Sequence, residues 1–438
     1  MMNKLSKIII VILLIYIVGL SGYLVYNKVL KKDSKTSVIP PIDGPVVTKS
    51  NEFNYNLILN NHEMAEKNKN YLISPYSIEI ALSMLRDGAN GDTKAEIDKV
   101  IGTRTINDVT VKDKVSVANA IFIKNKYDSY ILNNYKTNLK TNYNADMILD
   151  EFSTPDKINE WVKEKTKGMI DKILDQMDPM FVLGLANALA IDVEWQSEFK
   201  CINTREEEFT KSDGSKINVE MMHDSGSIKY IKEDNVEGIV LPYRKEEGSN
   251  VELEFIGLVP TGNLDNYINN SLEKDMKNIS NLIKTPIKSA EKEQVVNLSL
   301  PRFTYDSGID KFMKLLENMG IRKAFVAASY YGDKSAAEFD NMANIKEMGL
   351  YNLYVSDAIH KTHIELMEKG TKAAAVTYFT VAGSGAIMQP VQYEYIDIKF
   401  NKPFIYMIRD KNTNEMLFFG VVYEPNLWKG STCSNIEE

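Results

Sequence analysis

The chain has 438 residues, 44% of them hydrophobic and 26% charged, which is enough to bury a large core. Its 52 basic and 60 acidic side chains leave a net charge of −8, which excludes the basic excess of a nucleic-acid binder. The only cysteines, Cys201 and Cys433, exclude a disulfide-stapled scaffold; each is expected to be an unpaired thiol, the alternative being one bridge between them outside the cell.

The first element is apolar. Residues 8–26, IIIVILLIYIVGLSGYLVY, carry no charge, and about 19 helical residues at ~1.5 Å each cross a hydrocarbon core of ~30 Å. A membrane anchor within 1–32 is therefore expected. The alternative is a signal peptide cut after Ser21, although the apolar run continues past that point. Lysines lie on both sides (Lys4 and Lys7 before; Lys28, Lys31 and Lys32 after), so they do not set an orientation. Residues 33–50, DSKTSVIPPIDGPVVTKS, read as a tether because of their prolines. One continuous domain spans 51–427, and 428–438 form a tail.

The first half of that domain reads as helical. Apolar spacing predicts helices over 53–67 and 76–86, the second started by Ser74-Pro75. A third, TKAEIDKVIG, is capped by Asp92 or Thr93 and ends at Gly102. A fourth amphipathic segment covers 158–174. Strand-like runs follow: VLGLANALAIDV, GIVLPY, VELEFIGLVP, VNLSLPRFTY, IDIKFNKPFIYMIRD and EMLFFGVVYEP. Helices first and strands later predict an α+β fold rather than alternating βαβ units.

The residues nominate no catalyst. HEMAE at 62–66 lacks the second histidine of a zinc helix, and His360 and His363 fall in a stretch that reads as extended, which turns them to opposite faces. No nucleophile elbow, phosphate loop, C-x-x-C or dinucleotide fingerprint is present. An enzyme is not expected, nor is a metal or cofactor.

Seven separate stretches together resemble the serpins, a family of protease inhibitors. They are NYLISPYSIEIALSMLRDGANGDTKAEI, VANAIFIKN, INEWVKEKTKGMIDKIL, VLGLANALAIDVEW, VNLSLPRF, VSDAIHKTHIELMEKGTKAAA and FNKPFIYMIRDKNTNEMLFFGVVYEPN, in the family's order across nearly all of 51–427. The resemblance implies a helical N-terminal region, large mixed β-sheets and an exposed reactive-centre loop. A target protease cleaves that loop, which then enters the central sheet as a new strand and traps the acylated enzyme.

EKGTKAAAVTYFTVAGSGAIMQPV, residues 368–391, then becomes the loop. Its hinge comprises Glu368, Gly370, Thr371, Lys372, Ala373, Ala374 and Ala375, with Thr371, Ala373, Ala375, Thr377, Phe379 and Val381 on the inward face of the inserted strand. Small residues enter first and no proline interrupts the ladder before Pro390. Lys372 replaces the family's usual glutamate on the outward face. Ser74, Ser77, Asn187 and His360 resemble the polar cluster under the point where the sheet opens. Trp195, Arg302 and Glu368 resemble the ion-paired region at the top of the opening, where breaking the pair eases premature insertion. The family's spacing places the scissile bond at Ser384–Gly385, within a range that takes in Gly383, Ala386, Ile387 and Met388. Small or apolar residues there disfavour trypsin-like enzymes and fit subtilisin-, elastase- or chymotrypsin-like proteases. The alternatives are a papain-like cysteine protease as target, or a non-inhibitory serpin acting as a binding protein. The resemblance further implies a monomer on the outer face of the cell membrane, or a secreted one if the N-terminal segment is removed.

Overall fold

The computed structural model describes residues 50–289, 291–309, 311–371 and 392–425. All belong to one compact unit, Pro45–Glu438.

Helices occupy the N-terminal third. Ser50–Met64 lays Phe53, Leu57 and Ile58 into the core. Pro75–Gly88 starts where Ser74 accepts a hydrogen bond from the Ser77 N–H, and proline at the first helical position needs no donor. The next helix, Gly91–Ile101, begins earlier than expected and is capped from elsewhere. Neither Asp92 nor Thr93 is its N-cap; the N-cap is Asn90, and the Glu338 carboxylate accepts the Asp92 N–H at 2.8 Å. A carboxylate from over two hundred residues away satisfies the helix end as a local cap would.

The helix expected over 158–174 is shorter, Asp156–Lys165. Thr166 Oγ1 donates back to the Val162 carbonyl, and Lys167 and Gly168 turn left-handed at φ 53° and 81°. The chain then folds back on itself, and Asn159 Oδ1 accepts the N–H groups of Ile173 and Leu174. Amphipathic spacing continues there, but these side-chain bonds compete with the helical ladder.

Among the described residues the strands build four sheets. A six-stranded antiparallel sheet runs in the order Tyr71–Ile73, Met416–Val422, Phe404–Asp410, Leu253–Pro260, Val236–Pro242 and Lys229–Lys232. Its central strands are buried along their whole length because both faces are covered, and the charges they carry at one end are paired, Arg409 with Glu254 at 2.8 Å. One face packs on the helices through Ile256, Leu258 and Met407; the other meets Trp195, Phe255, Phe404 and Tyr406. A mixed sheet orders Gln392–Lys399, Lys292–Pro301, Lys216–Gly226 and Arg205–Thr210, its first pair parallel. A third sheet joins Asp146–Asp150, Val115–Lys124 and Leu183–Ile191. The fourth joins Phe303–Gly308, Lys361–Met367, Gly370–Thr371 and Val193–Glu194. Strand Val193–Glu194 follows Leu183–Ile191 after one residue, so one stretch of chain serves the last two sheets.

Candidate functional site

Those two sheets face each other across an opening, and its upper end is closed by two residues. Strand Lys361–Met367 turns at Glu368 and Lys369 and returns as Gly370–Thr371. Thr371 pairs with Leu366 on one side and Val193 on the other; Gly370 pairs with Met367 and Glu194. Gly370 sits at φ 149°, and a Cβ there would lie 2.2 Å from the Val193 carbonyl oxygen, so only glycine fits. Thr371 is 3% exposed, with its hydroxyl 2.8 Å from that of Tyr243. Beneath it, Trp195 stacks on Tyr243 at 4.5 Å and donates its indole N–H to the Met367 carbonyl.

Glu368, at the base of this turn, is held by its backbone and by its side chain. Its carbonyl accepts the Phe199 N–H at 2.9 Å. Its carboxylate accepts the Thr204 hydroxyl at 2.7 Å and lies 3.4 Å from Arg302 Nη1. Arg302 makes its closer contact with Glu220, at 2.7 Å from Nε. Thr204 and Glu220 come from a distant loop and strand, and no local feature of the sequence marks them. Cys201, in the loop between Phe199 and Thr204, is disulfide-bonded. The expectation of two unpaired thiols is thus corrected: tertiary folding, not spacing along the chain, decides which sulfurs meet.

Below Thr371 the opening is a cleft lined by Leu189, Ile191, Ile364, Glu365 and Phe418 among others. Strand Leu183–Ile191 pairs with Val115–Lys124 on its far side. Strand Lys361–Met367 pairs with Phe303–Gly308 on its own far side. Among the described residues, no ladder joins their facing edges except through Gly370 and Thr371. Both edges run antiparallel to that short strand. The cleft therefore offers two rows of backbone groups to one extended segment, the geometry of strand addition.

The four residues of the polar cluster do not form one network. His360 Nε2 accepts the Ser74 N–H at 3.0 Å, and Ser74 Oγ accepts the Ser77 N–H. Burial holds the His360 imidazole neutral, with its pKa down to about 4. Asn187 is bonded instead to Asn119, which donates in turn to the Tyr143 carbonyl. Its own Oδ1 is buried, and among the described residues it has no hydrogen-bond partner.

The serpin (serine protease inhibitor) family model matches residues 48–425. The chain belongs to the serpin family. This serpin is 28% identical to a serpin-like protein of Thermococcus kodakarensis over 87% of its own length and 86% of that protein's. It is also 28% identical to plasminogen activator inhibitor 1 of Bos taurus, over 82% of its own length and 88% of the relative's. Among solved structures it resembles the thermophilic serpin tengpin in its native state, with a TM-score of 0.68 and 30% identity. That match covers 87% of this chain and 97% of tengpin. At family level the function is inhibition of serine proteases.

In this serpin the expected hinge residues Lys372, Ala373, Ala374 and Ala375 and the scissile range 383–388 lie outside the described residues, as does the apolar segment 8–26. No helix of the described residues is long and apolar enough to cross a membrane, and no three of their His, Cys, Asp or Glu groups converge as a metal site. One arrangement escapes the sequence: Ser299 Oγ lies 3.1 Å from His223 Nδ1, whose ring reaches Glu207 at 3.1 Å. It arises because Ser299 and His223 are ladder partners. Ser299 is 6% exposed, which closes its hydroxyl to a substrate carbonyl.

Proposed function

We propose that this serpin is an inhibitor that acts as a suicide substrate. A protease cleaves the loop, the loop enters the cleft between Leu183–Ile191 and Lys361–Met367, and the acylated enzyme is dragged with it and trapped. The observation that carries this reading is the seated hinge: Gly370 and Thr371 already hold the first rungs of the strand that would follow.

The residues are compatible with the remaining rungs. If the inserted strand kept the register of Gly370 and Thr371, Ala373 would come level with Ile191 and Ile364, Ala375 with Leu189 and Thr362, and Thr377 with Asn187 and His360. Ile191, Leu189, Ile364, Thr362 and His360 are all buried, so small side chains would enter the narrow part of the core-facing side. A threonine hydroxyl level with Asn187 would approach an amide oxygen that otherwise has no partner. A dozen new ladder bonds at ~0.5–1.5 kcal/mol net each supply a drive of order 10 kcal/mol.

The loop sequence favours a subtilisin-, elastase- or chymotrypsin-like target, cut at Ser384–Gly385 or within 383–388. The chain acts as a monomer, held by residues 8–26 at the outer face of the membrane, where a protease of the surroundings meets it. The test is incubation with purified subtilisin, pancreatic elastase, chymotrypsin and papain, followed by denaturing electrophoresis. An SDS-stable complex with one of the serine proteases is the expected outcome, and the mass of the released C-terminal peptide locates the bond. A complex with papain alone would shift the target class. Loop cleavage without any complex would make the chain a substrate or binding protein and sink the proposal.

A further inference from the structure

Strand Gln392–Lys399 is the first of its sheet and pairs only with Lys292–Pro301 among the described strands. Its second half turns Ile396 and Ile398 into the core and Asp397 and Lys399 outward, as a half-buried strand should. The same alternation turns Tyr393 and Tyr395 outward. They are 54% and 63% exposed, and their rings stack on each other at 6.4 Å with an interplanar angle of 22°. Ladder pairing sets Glu293 level with Tyr393 and Val295 with Tyr395. Asp397 follows on the same face, where it accepts the Asn297 amide at 2.9 Å. Glu293 is only loosely paired, 3.8 Å from Lys288. Glu394 turns to the opposite face, where Lys292 and Gln294 each lie 2.8 Å from its carboxylate. The result is an exposed aromatic pair with a carboxylate at either end.

We propose that the Tyr393–Tyr395 face is a second docking site for the target protease, receiving a lysine- or arginine-bearing ridge beside the enzyme's primed-side cleft. It rests on the reading of 383–388 as the stretch that the protease cuts. From Gly385 to Tyr393 there are eight residues, and whatever path they take they reach at most ~29 Å. A protease of 200–300 residues has a radius of gyration of ~17–19 Å. An enzyme closed on that bond therefore has its own surface within reach of the tyrosines.

The chemistry of the face selects the partner. Two stacked tyrosines offer ring area and hydroxyls with little side-chain entropy to lose, the make-up of interface centres. A cation laid over such a ring is attracted by its quadrupole, and Glu293 and Asp397 draw the same cation from a distance. A second copy of this chain, itself at −8, is a poor occupant for a face edged by carboxylates. Docking precedes cleavage, so it acts on the rate of encounter. The division between trapping and release comes later, at insertion, and is left as it was.

The test is the second-order rate constant for inhibition of the serine protease that the panel identifies. Tyr393→Ala combined with Tyr395→Ala should lower it about tenfold with the stoichiometry of inhibition unchanged. The two Tyr→Phe changes should restore most of it. Tyr330→Ala with Tyr331→Ala removes an equally exposed pair elsewhere and should leave the rate alone. Glu293→Lys should slow inhibition at low salt and far less at high salt. An unchanged rate in the double alanine variant, or an equal fall in the Tyr330 and Tyr331 control, overturns the docking site and leaves the inhibitory reading standing. If the loop is cut and no complex forms, the inhibitory reading falls, and the same comparison made on kcat/KM for loop cleavage still decides the docking site. If no enzyme cuts the loop, both fall. A concentration-dependent dimer that the double alanine variant loses would give the face to a second copy and overturn the proposal too.

Discussion

His360 is a base held without its proton by burial, and among the described residues its side chain accepts the Ser74 N–H. Its folded pKa of about 4 lies below the unfolded value near 6.5, so the unfolded chain binds the extra proton first. The contribution is fully present above pH ~6.5 and is lost as pH falls toward 4, amounting to ~3 kcal/mol. Glu79 acts in the opposite sense. Burial raises its pKa against the pull of Arg104, so its contribution weakens as pH rises. The two partly offset, and only a difference measurement isolates the histidine. The stability gap between the native chain and His360→Gln, from urea midpoints, should shrink by about 3 kcal/mol between pH 7.5 and pH 4. A gap independent of pH would mean that His360 takes up its proton in the fold. The family pattern led to the expectation of a polar place for His360, and the bond it makes is to Ser74. Asn119, which takes Asn187 for itself, was not legible, because it lies on a neighbouring strand 68 residues away in sequence.

At the scale of elements, the hinge is a two-residue strand whose seat is shaped by three others. Gly370 has no room for a Cβ against Val193, and Thr371 is sealed over Tyr243 and Trp195. Thr371→Arg would bury a charge at the first rung. The variant is expected to be cleaved by a protease that the native chain traps, with no SDS-stable complex formed. Normal trapping would show that residue 371 does not face inward during insertion. If the inserted strand of the proposed mechanism continues the register of Gly370 and Thr371, Lys372 would come level with Asp192 and Glu365. The departure from the family's glutamate would then be matched by two carboxylates. Lys372→Glu should lower the stability of the loop-cleaved form by ~1 kcal/mol, the scale of like charges directly opposite in a ladder. The uncleaved form should hardly change, and an equal loss in both forms would place residue 372 elsewhere. The sequence marked this segment by its small leading residues and its lack of proline before Pro390. Which residues flank Gly370 and Thr371 on their far side depends on partners 176 and 178 positions away, beyond the reach of any local pattern. The shortened helix Asp156–Lys165 makes the same point: periodicity continues to residue 174, and hydrogen bonds from Thr166 and Asn159 end the helix first.

For the whole molecule, the proposed role of the apolar segment 8–26 as an anchor is open to fractionation. Expressed in full in a bacterial host, the chain should stay with membranes through a high-salt wash, and a chain lacking 1–32 should become soluble. A soluble full-length product beginning at Gly22 would instead identify a cleaved signal peptide. The class of the fold and the order of its blocks were determined by sequence. They rest on features carried within short windows: helix starts and apolar periods. The tertiary structure alone decided that the loop's base is clasped by Phe199 and Thr204. It decided too that Arg302 divides its charge between Glu220 and Glu368, and that Cys201 is bonded. Each of these joins segments far apart along the chain, and only folding sets the distance between them.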